Sequence, residues 1–357
     1  MSQARPTLAD VASAAGVSVS TASLAFSGAG PIADETRAKV LEAARKLGYA
    51  GPNPLGRSLR SGRSGIVGVI IGDQLRRSFR DPVSVQVLDG LVGTLGTLGL
   101  GVLLVPALDP DRDPNTAGDL DPLLASAPMD VAVLIWGARK DDPNLAALQR
   151  RGVPVVIGEG PDLPGTALVG IDDRKGSADL ARYLVGLGHE RIGTVTLPLA
   201  HPRQTGVPAP ERLANPDWAP ARHRLQGLAD AGVEPTAIVE ASASLVEEGL
   251  VAGRILLDVP EPPTAVIAQS DLLAAGVLLA ARELGLRVPE DVSVAGFDGL
   301  DLAWLAPDQL TSVAQPLGAK GEAIGRAVER VIAGEVPPPV RMDVELRIGT
   351  TTAPPRA

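Results

Sequence analysis

Cysteine is absent from this 357-residue chain, which excludes a disulfide framework and thiolate metal sites. Aromatic residues amount to 2%, and histidine occurs only at His189, His201 and His223. There is no H-E-x-x-H, no P-loop and no G-x-S-x-G, so no catalytic constellation is visible and neither an enzyme, a cofactor nor a metal is expected. No stretch approaches eighteen strongly apolar residues, and the opening Met-Ser-Gln-Ala-Arg-Pro lacks the apolar run of a secretory signal. A cytoplasmic protein with no membrane span is the expectation.

What the chain does have is apolar content, 45%, enough for cores in two or three compact units. Its net charge of -9 argues against bulk affinity for nucleic acid, yet that charge is unevenly placed. Residues 1–63 carry eight basic side chains (Arg5, Arg37, Lys39, Arg45, Lys46, Arg57, Arg60, Arg63) against four acidic ones (Asp10, Asp34, Glu35, Glu42). The rest is strongly acidic. A small head that meets phosphates and a large body that repels them would distribute charge in this way.

Thr7 to Ser27 reads as two short helices joined by a tight turn at Gly16. Thr7 caps the first helix with Asp10 three residues on, and Val11, Ala14 and Ala15 supply the buried stripe. Ser18 caps the second helix, whose Val19, Ser20 and Leu24 face outward while Ala22, Ala25 and Phe26 face the core. This geometry lays a second helix into the DNA major groove, with Thr7, Ser18, Val19, Ser20, Thr21, Ser23 and Leu24 as candidate contacts. Leu24 can equally pack. A third helix from Asp34 to Leu47 places Val40, Leu41, Ala44 and Leu47 on one face and ends at Gly48, where a left-handed residue is wanted. Next, Asn53-Pro-Leu-Gly-Arg-Ser-Leu-Arg60 is a helical turn and a half within a linker. A helix this short is marginal in water, so it is expected to fold only on DNA, with Asn53, Gly56, Arg57, Leu59 and Arg60 as contacts.

Taken in order, Thr7-Leu-Ala-Asp-Val-Ala, Ala15-Gly-Val-Ser-Val-Ser-Thr21, Asp34-Glu-Thr-Arg37, Leu47-Gly-Tyr49 and Asn53 to Arg60 resemble the LacI/GalR family of transcriptional repressors. The resemblance implies a homodimer on a pseudo-palindromic double-stranded operator, with Leu59 of each subunit wedged into the minor groove. The chain departs from the family pattern at Leu24, where many members carry Arg, at Ser27, where Asn is usual, at Ala33, which replaces a Ser cap, and at Gly56, which replaces a common Ala. Losing the Arg removes a possible bidentate guanine contact worth about 1–3 kcal/mol, whereas Leu24 and Val19 can touch thymine methyls.

From Ile66 onward, short β-rich runs (66–71, 101–105, 131–135, 153–157, 191–195, 265–268, 292–297) alternate with helical stretches (82–98, 176–187, 219–231, 244–257, 272–285, 319–333). Such alternation builds parallel sheets covered by helices on both faces, here two doubly wound lobes splitting near Gly188-His189-Glu190. Ser244 and Glu247 are placed for a capping box, Gly90, Gly93, Gly96 and Gly99 for close helix packing, and Leu197 to Pro220 reads as a long Pro-rich loop. The resemblance extends through Gly188-His-Glu-Arg-Ile192, Ser270-Asp271, Val288 to Asp298 and Leu310-Thr-Ser-Val-Ala-Gln-Pro316, and implies a body of periplasmic-binding-protein type with an effector between its lobes. The expected organisation is an all-α helix-turn-helix head (1–51), a hinge helix and linker (52–65), an N-terminal α/β lobe (66–190 with 315–335) and a C-terminal α/β lobe (191–314 with 336–357).

Ligands of open α/β sheets sit beyond the carboxyl ends of the strands, which points to Asp73, Phe79, Trp136, Asp172, Arg224, Ser270, Asp271 and Asp298. The resemblance makes Asp298 an acceptor of sugar hydroxyls and Arg224 a fork onto hydroxyls or carboxylates, and Trp136 can stack on a pyranose face. Asp172, Ser270 and Asp271 can also be plain helix caps, and Phe79 can guard a cleft mouth or simply pack. Lys175 lies near a position that is acidic in another family member and fits either an anionic ligand group or plain solvation. His189 suits a structural role at the lobe crossing. A sugar or sugar derivative is the expected effector, a nucleoside, sugar acid or sugar phosphate the alternative, with induction and corepression both open. The rival reading is a solute-binding or enzymatic α/β protein. Helices 82–98 and 272–285 match the family's dimer faces, and the tail Thr350 to Ala357 has no heptads for a tetramerising coiled coil.

Overall fold

The computed structural model describes residues 6–27, 30–51, 62–72, 75–105, 122–136 and 142–356. The chain forms two compact units, Met1–Gly65 and Ile66–Ala357.

The first unit holds α1 (Leu8–Ala15), α2 (Val19–Ser27) and α3 (Asp34–Leu47). Thr7 N donates to the Asp10 carboxylate at 2.8 Å and Asp10 N donates back to Thr7 Oγ1 at 3.3 Å, the reciprocal cap expected from their spacing. Gly16, at φ 66°, turns the chain, and Ser18 Oγ accepts from Thr21 N at 3.1 Å to open α2. The core consists of Val11, Ala12, Ala22, Ala25, Val40, Ala43 and Ala44, with Phe26 set edge-on to Tyr49 at 5.6 Å. Two expectations shift here. Ala12 is buried where Ala14 was expected, and Ala43 where Leu41 and Leu47 were, these leucines remaining 39% and 40% exposed. Alanine at the contacts lets three short helices approach closely, which leaves no room between them for the leucines.

The second unit contains two six-stranded sheets. The first is built from β1 (Ile66–Ile71), β2 (Gly101–Val105), β3 (Val131–Ile135), β4 (Val155–Gly158), β5 (Thr166–Ile171) and β11 (Val340–Met342), in the order β11-β5-β4-β3-β1-β2. The second is built from β6 (Ile192–Thr196), β7 (Ala237–Glu240), β8 (Ala265–Ala268), β9 (Ser293–Asp298), β10 (Thr311–Ala314) and β12 (Glu345–Arg347), in the order β12-β10-β9-β8-β6-β7. All pairings are parallel except β10 with β12.

Period-2 alternation sorts the strand residues between two faces. In the first sheet Val67, Val69, Val131, Val133 and Val156 pack under α5 (Pro82–Thr97) and α13 (Leu317–Ile332), while Ile70, Ala132, Leu134, Val155 and Ile157 meet α6 (Pro122–Ser126) and α7 (Pro143–Arg150). In the second, Val195, Val266, Ala268 and Val294 pack under α11 (Val246–Leu257) and α12 (Asp271–Glu283), while Ile192, Ile267, Ala295, Phe297 and Val313 meet α8 (Asp173–Gly186) and α10 (Ala219–Asp230). Between β1 and α5 lies the short α4 (Leu75–Ser78), and between β6 and α10 the short α9 (Pro210–Ala214).

The chain passes between lobes at Asp172, at Gln315-Pro316 and at Asp343-Val344. The expected division near Gly188 is therefore displaced. Helix α8 belongs with the second sheet, because Leu180, Ala181 and Leu184 are buried against Ile192, Leu228 and Phe297. The return segment 336–357 likewise begins in the first sheet, as β11 beside β5, before joining the second as β12. His189 lies within the second lobe, with Nδ1 2.9 Å from Thr264 Oγ1 and Nε2 2.9 Å from the Ala353 carbonyl, so it fixes the C-terminal segment and not a lobe crossing.

Glycine packing is more selective than the threefold spacing implies. A Cβ at Gly90 would collide with the Gly318 carbonyl, so that position seats α5 on α13, whereas Gly93 and Gly96 face open space and Gly99 is a left-handed turn residue at φ 70°. Helix α12 is buried along nearly its whole length because α11 covers it, Gly276 lying so close to Gly249 that neither tolerates a side chain. The expected dimer face at 272–285 is thus covered by its own lobe. Leu245, not Ser244, precedes α11, and Ser244 Oγ donates instead to Ser270 Oγ at 2.9 Å while Glu247 pairs with Arg80, so the expected capping box does not form. Among the described residues no single helix is long and apolar enough to cross a membrane.

Candidate functional site

On the helical head, the start of α2 presents an exposed, uncharged surface with chemistry to offer. Val19 is 50% exposed, and Ser18 and Ser20 are exposed with their hydroxyls 2.7 Å apart. Thr21, Ser23 and Leu24 are half-buried, Leu24 reaching over Gly30, and Thr7 is engaged in its cap. The surface offers hydroxyls and methyl groups without charge, suited to base edges and thymine methyls more than to phosphates. Asn53, Gly56, Arg57, Leu59 and Arg60 lie outside the described residues.

In the second unit a cleft of about 870 Å3, its open mouth included, lies where the carboxyl ends of both sheets meet. Arg77, Ser78, Asp81, Ser84, Trp136 and Glu159 line it from the first lobe, and Leu197, Trp218, Arg224, Ser244, Ser270 and Asp298 from the second, with Gln315 on the crossing between them. Trp136, Glu159 and Asp298 all carry positive φ (54°, 59° and 128°), conformations that non-glycine residues rarely adopt and that cost of order 1–3 kcal/mol each. Their convergence on one cleft is the mark of a functional site held by the surrounding fold.

One polar network runs along the cleft floor. Trp136 Nε1 donates to Glu159 Oε2 at 2.9 Å, and Lys320 Nζ donates both to Glu159 Oε1 and to Gln315 Oε1. Gln315 Nε2 passes the chain on to Asp298 Oδ1 at 2.7 Å. Arg224 Nε donates to Asp173 Oδ1 at 2.8 Å, its NH1 reaches the Gln269 carbonyl and stands 3.7 Å from Asp298 Oδ1, and its guanidinium lies 3.7 Å from the Phe297 ring centroid. Asp271, one layer below, accepts from Ser312 Oγ at 2.6 Å and Leu300 N at 2.7 Å.

Burial sets the electrostatics. It pushes Asp173 and Asp271 up to about 6, in each case against the pull of Arg224, and Asp81 up to about 6 although Val83 N and Ser84 hydrogen-bond its carboxylate. Asp298 is raised well above the carboxylate range, by burial first and by the charges of Asp271 and Asp81 beside it. Glu159 is equally buried, but the charge and hydrogen bond of Lys320 outweigh burial and hold it below its ordinary value. The cleft thus presents one firmly ionised acceptor, carboxyls readily protonated, guanidiniums and two indoles, a set suited to hydroxyl-rich ligands.

Of the residues expected in this site, Trp136, Arg224, Ser270 and Asp298 line the cleft. Ser270 also caps α12 through Leu273 N at 3.2 Å, so both of its readings hold. Asp271 supports from beneath, Asp172 caps α8 by accepting from Lys175 N at 3.1 Å, and Phe79 is 57% exposed outside the lining. Lys175 Nζ pairs with Asp179 at 2.6 Å, away from the cleft. Asp73 lies outside the described residues. Glu159, Gln315, Lys320, Arg77, Asp81, Arg203 and Trp218 were not anticipated. Glu159 directly follows a strand and shared the signal that marked Trp136, and Gln315 directly follows β10, a strand the sequence did not reveal, but the others sit in helices or between elements, where periodicity carries no information about a cleft. The expected Pro-rich loop 197–220 is a folded wall, containing α9 and a buried Leu199 and Trp218.

The comparisons with known proteins match this architecture. Residues 7–53 match the bacterial regulatory proteins of the lacI family, and residues 181–352 match the periplasmic binding protein-like domain. An HTH-type transcriptional regulator of Mycolicibacterium smegmatis is 34% identical over 98% of this chain and 97% of its own length. The HTH-type transcriptional regulator IpsA of Corynebacterium glutamicum is 33% identical over 98% of each. Among solved structures, the complex of the transcriptional regulator CelR with cellobiose superposes with a TM-score of 0.66 at 28% identity, covering 97% of this chain and 100% of that one. These relatives are transcriptional regulators and not enzymes. With its helix-turn-helix head and two-lobed body, the chain belongs to the LacI family of transcriptional regulators.

Proposed function

We propose that the chain is a homodimeric, effector-responsive repressor that binds a pseudo-palindromic operator through α2 and a small polyhydroxylated molecule, a sugar or sugar derivative, in the cleft between its lobes. The observation that carries this is the network Trp136–Glu159–Lys320–Gln315–Asp298, which begins in one lobe and ends in the other. A ligand that hydrogen-bonds to both ends stabilises one relative setting of the lobes over others, and such differential binding is what a ligand needs to shift a conformational equilibrium. Cellobiose in the CelR complex supports a sugar-class effector. Trp136 supports it too, because its half-buried indole is held by Glu159 at the cleft wall. The outward faces of α5 and α11, with exposed Val85, Val92, Val251 and Ile255, support a dimer with one contact on each lobe.

The test is a mobility-shift titration of the full-length protein on DNA upstream of its own gene, with and without a panel of sugars, sugar acids, sugar phosphates and nucleosides. Retardation of one palindromic fragment, altered by a panel member that also raises the melting temperature, is the expected result, and the direction of the change decides between induction and corepression. Failure to bind any palindromic fragment overturns the reading.

A further inference from the structure

The rim of the cleft is bridged from lobe to lobe. Arg80, between α4 and α5, donates through NH2 to Glu247 Oε1 at 2.7 Å, and Glu247 stands in the first turn of α11 in the second lobe. The two side chains are 58% and 50% exposed, and neither belongs to the cleft lining, although the nearby Asp81 and Leu245 do. Burial alone would raise Glu247, but its own backbone N–H, Arg80 and the charge of Arg77 outweigh it and hold the carboxylate below its ordinary value.

A second bridge comes from the wall 197–220. Arg203 NH2 donates at 2.8 Å to the Gly72 carbonyl, just past β1 in the first lobe. That wall is fixed within its own lobe, because Glu240, fully buried at the end of β7, accepts from Leu199 N at 2.8 Å and from Arg212 Nε and NH2 at 2.8 and 2.5 Å. Thr205 of the same wall donates to Glu248, the neighbour of Glu247. The first turn of α11 is thus held to the wall by one carboxylate and to the opposite lobe by the next.

Arg80 and Glu247 also mark the starts of two helices. Asp81, adjacent to Arg80, caps α5 through Val83 N at 3.0 Å, and Ser244 and Leu245 lead into α11. Both starts line the cleft, and both helices carry outward apolar side chains, Val85 and Val92 on α5 and Val251 and Ile255 on α11. A bond between Arg80 and Glu247 sets these helices relative to each other and needs no ligand atom to form.

We propose that the Arg80–Glu247 pair is a clasp on the cleft: made by protein groups alone, it biases the two lobes toward the closed setting before an effector arrives, and opening the cleft means breaking it. An exposed pair is a weak fastener whose strength falls with salt, which suits a contact that has to open repeatedly. It tilts the balance between open and closed forms without locking it. The significance of closure rests on the reading of the cleft as the effector site, but the clasp itself is measured with no effector present.

The chain has no cysteine, so a single introduced thiol reports on opening. Ser84→Cys in the first lobe and Ala243→Cys in the second, at cleft-lining positions 4% and 3% exposed, are labelled with dithiobis(nitrobenzoate) in the full-length protein. Each reporter is combined with Arg80→Gln, Glu247→Gln and both together, with a urea unfolding curve for every variant. Both reporters are expected to label about two- to fivefold faster in the single variants, as loss of an exposed ion pair implies. The double variant labels no faster than Glu247→Gln, because both substitutions break the same bond, and at about 1 M NaCl the wild type and variants converge. Unchanged labelling in the single variants, a change at one reporter alone, or a double variant showing the product of the single effects overturns the proposal. So does a wild-type rate as fast as that of an exposed thiol at Glu329→Cys, or a rise no larger than the rise in unfolded fraction measured in urea. Any of these results leaves the effector reading standing, and an effector panel without a binder leaves the clasp standing.

Discussion

Gln315 Nε2 donates to Asp298 Oδ1 at 2.7 Å, joining a crossing segment to the end of a strand in the second lobe, while its own oxygen accepts from Lys320 in the first. A neutral amide, donor at one end and acceptor at the other, is the side chain that this position requires. Gln315→Glu puts a second carboxyl group against Asp298, and Gln315→Leu takes one hydrogen-bond partner from each of Lys320 and Asp298. Each variant is expected to lose about 1–3 kcal/mol of stability by chemical denaturation and to weaken effector binding tenfold or more by calorimetry.

Lys320 is 1% and Glu159 5% exposed in their side chains, so their ion pair is buried. Removing one partner leaves an unpaired buried charge, and Lys320→Met is expected to cost about 3–5 kcal/mol in urea unfolding. The double variant Lys320→Met/Glu159→Gln is expected to recover most of that loss. A double variant as unstable as the sum of the two singles shows that the pair is not coupled.

Burial raises Asp81 and Asp271 from 3.8 to about 6. A carboxyl whose folded pKa lies above its unfolded value favours the folded state most while protonated. These groups therefore make the protein most stable near pH 4 and progressively less so as pH rises to about 6, by up to about 3 kcal/mol per group. Asp291, held below the ordinary carboxylate range by Arg287, acts in the opposite sense, and its contribution is lost as pH falls below about 4. Melting temperatures from pH 4 to 7 are expected to fall less steeply in Asp271→Asn than in the wild type. Parallel curves exclude Asp271 as a source of the slope.

On the head, Ser20→Ala and Leu24→Arg separate affinity from base choice. Ser20→Ala is expected to weaken operator binding by about 1–3 kcal/mol in a mobility shift, as loss of a base contact does. Leu24→Arg is expected to transfer preference toward half-sites with guanine at the position facing residue 24, read by selection from a randomised half-site pool. An unchanged preference means that Leu24 packs without reading a base.

Local signals carried most of the fold into the sequence. Strands 66–71, 101–105 and 131–135 and the third helix were legible to the residue, because apolar runs bounded by Gly, Pro and Asp have few other readings. Strands β5, β7, β10, β11 and β12 were missed, since Thr166 to Ile171, Ala237 to Glu240, Thr311 to Ala314, Val340 to Met342 and Glu345 to Arg347 carry only weak or interrupted apolar runs and resemble loop ends until a sheet claims them. The lobe division was misplaced because a chain crossing leaves no mark in composition: Asp172 looks like any N-cap. Among the cleft residues, Glu159 and Gln315 were passed over although each directly follows a strand, while Trp136 and Asp298, also at strand ends, were found by rule. Lys320 and Trp218 were not, because a lysine in an amphipathic helix and a tryptophan in a Pro-rich stretch reveal their direction only once the backbone is placed.

The wall from Leu197 to Pro220 takes its anchorage from Glu240, within the second lobe, and touches the first through Arg203. Its sequence can therefore change without disturbing the three crossings or the head. What the cleft admits and how the lobes report it are written in different stretches of chain, and mutation can retune the first as an interchangeable cassette while the output machinery is inherited intact.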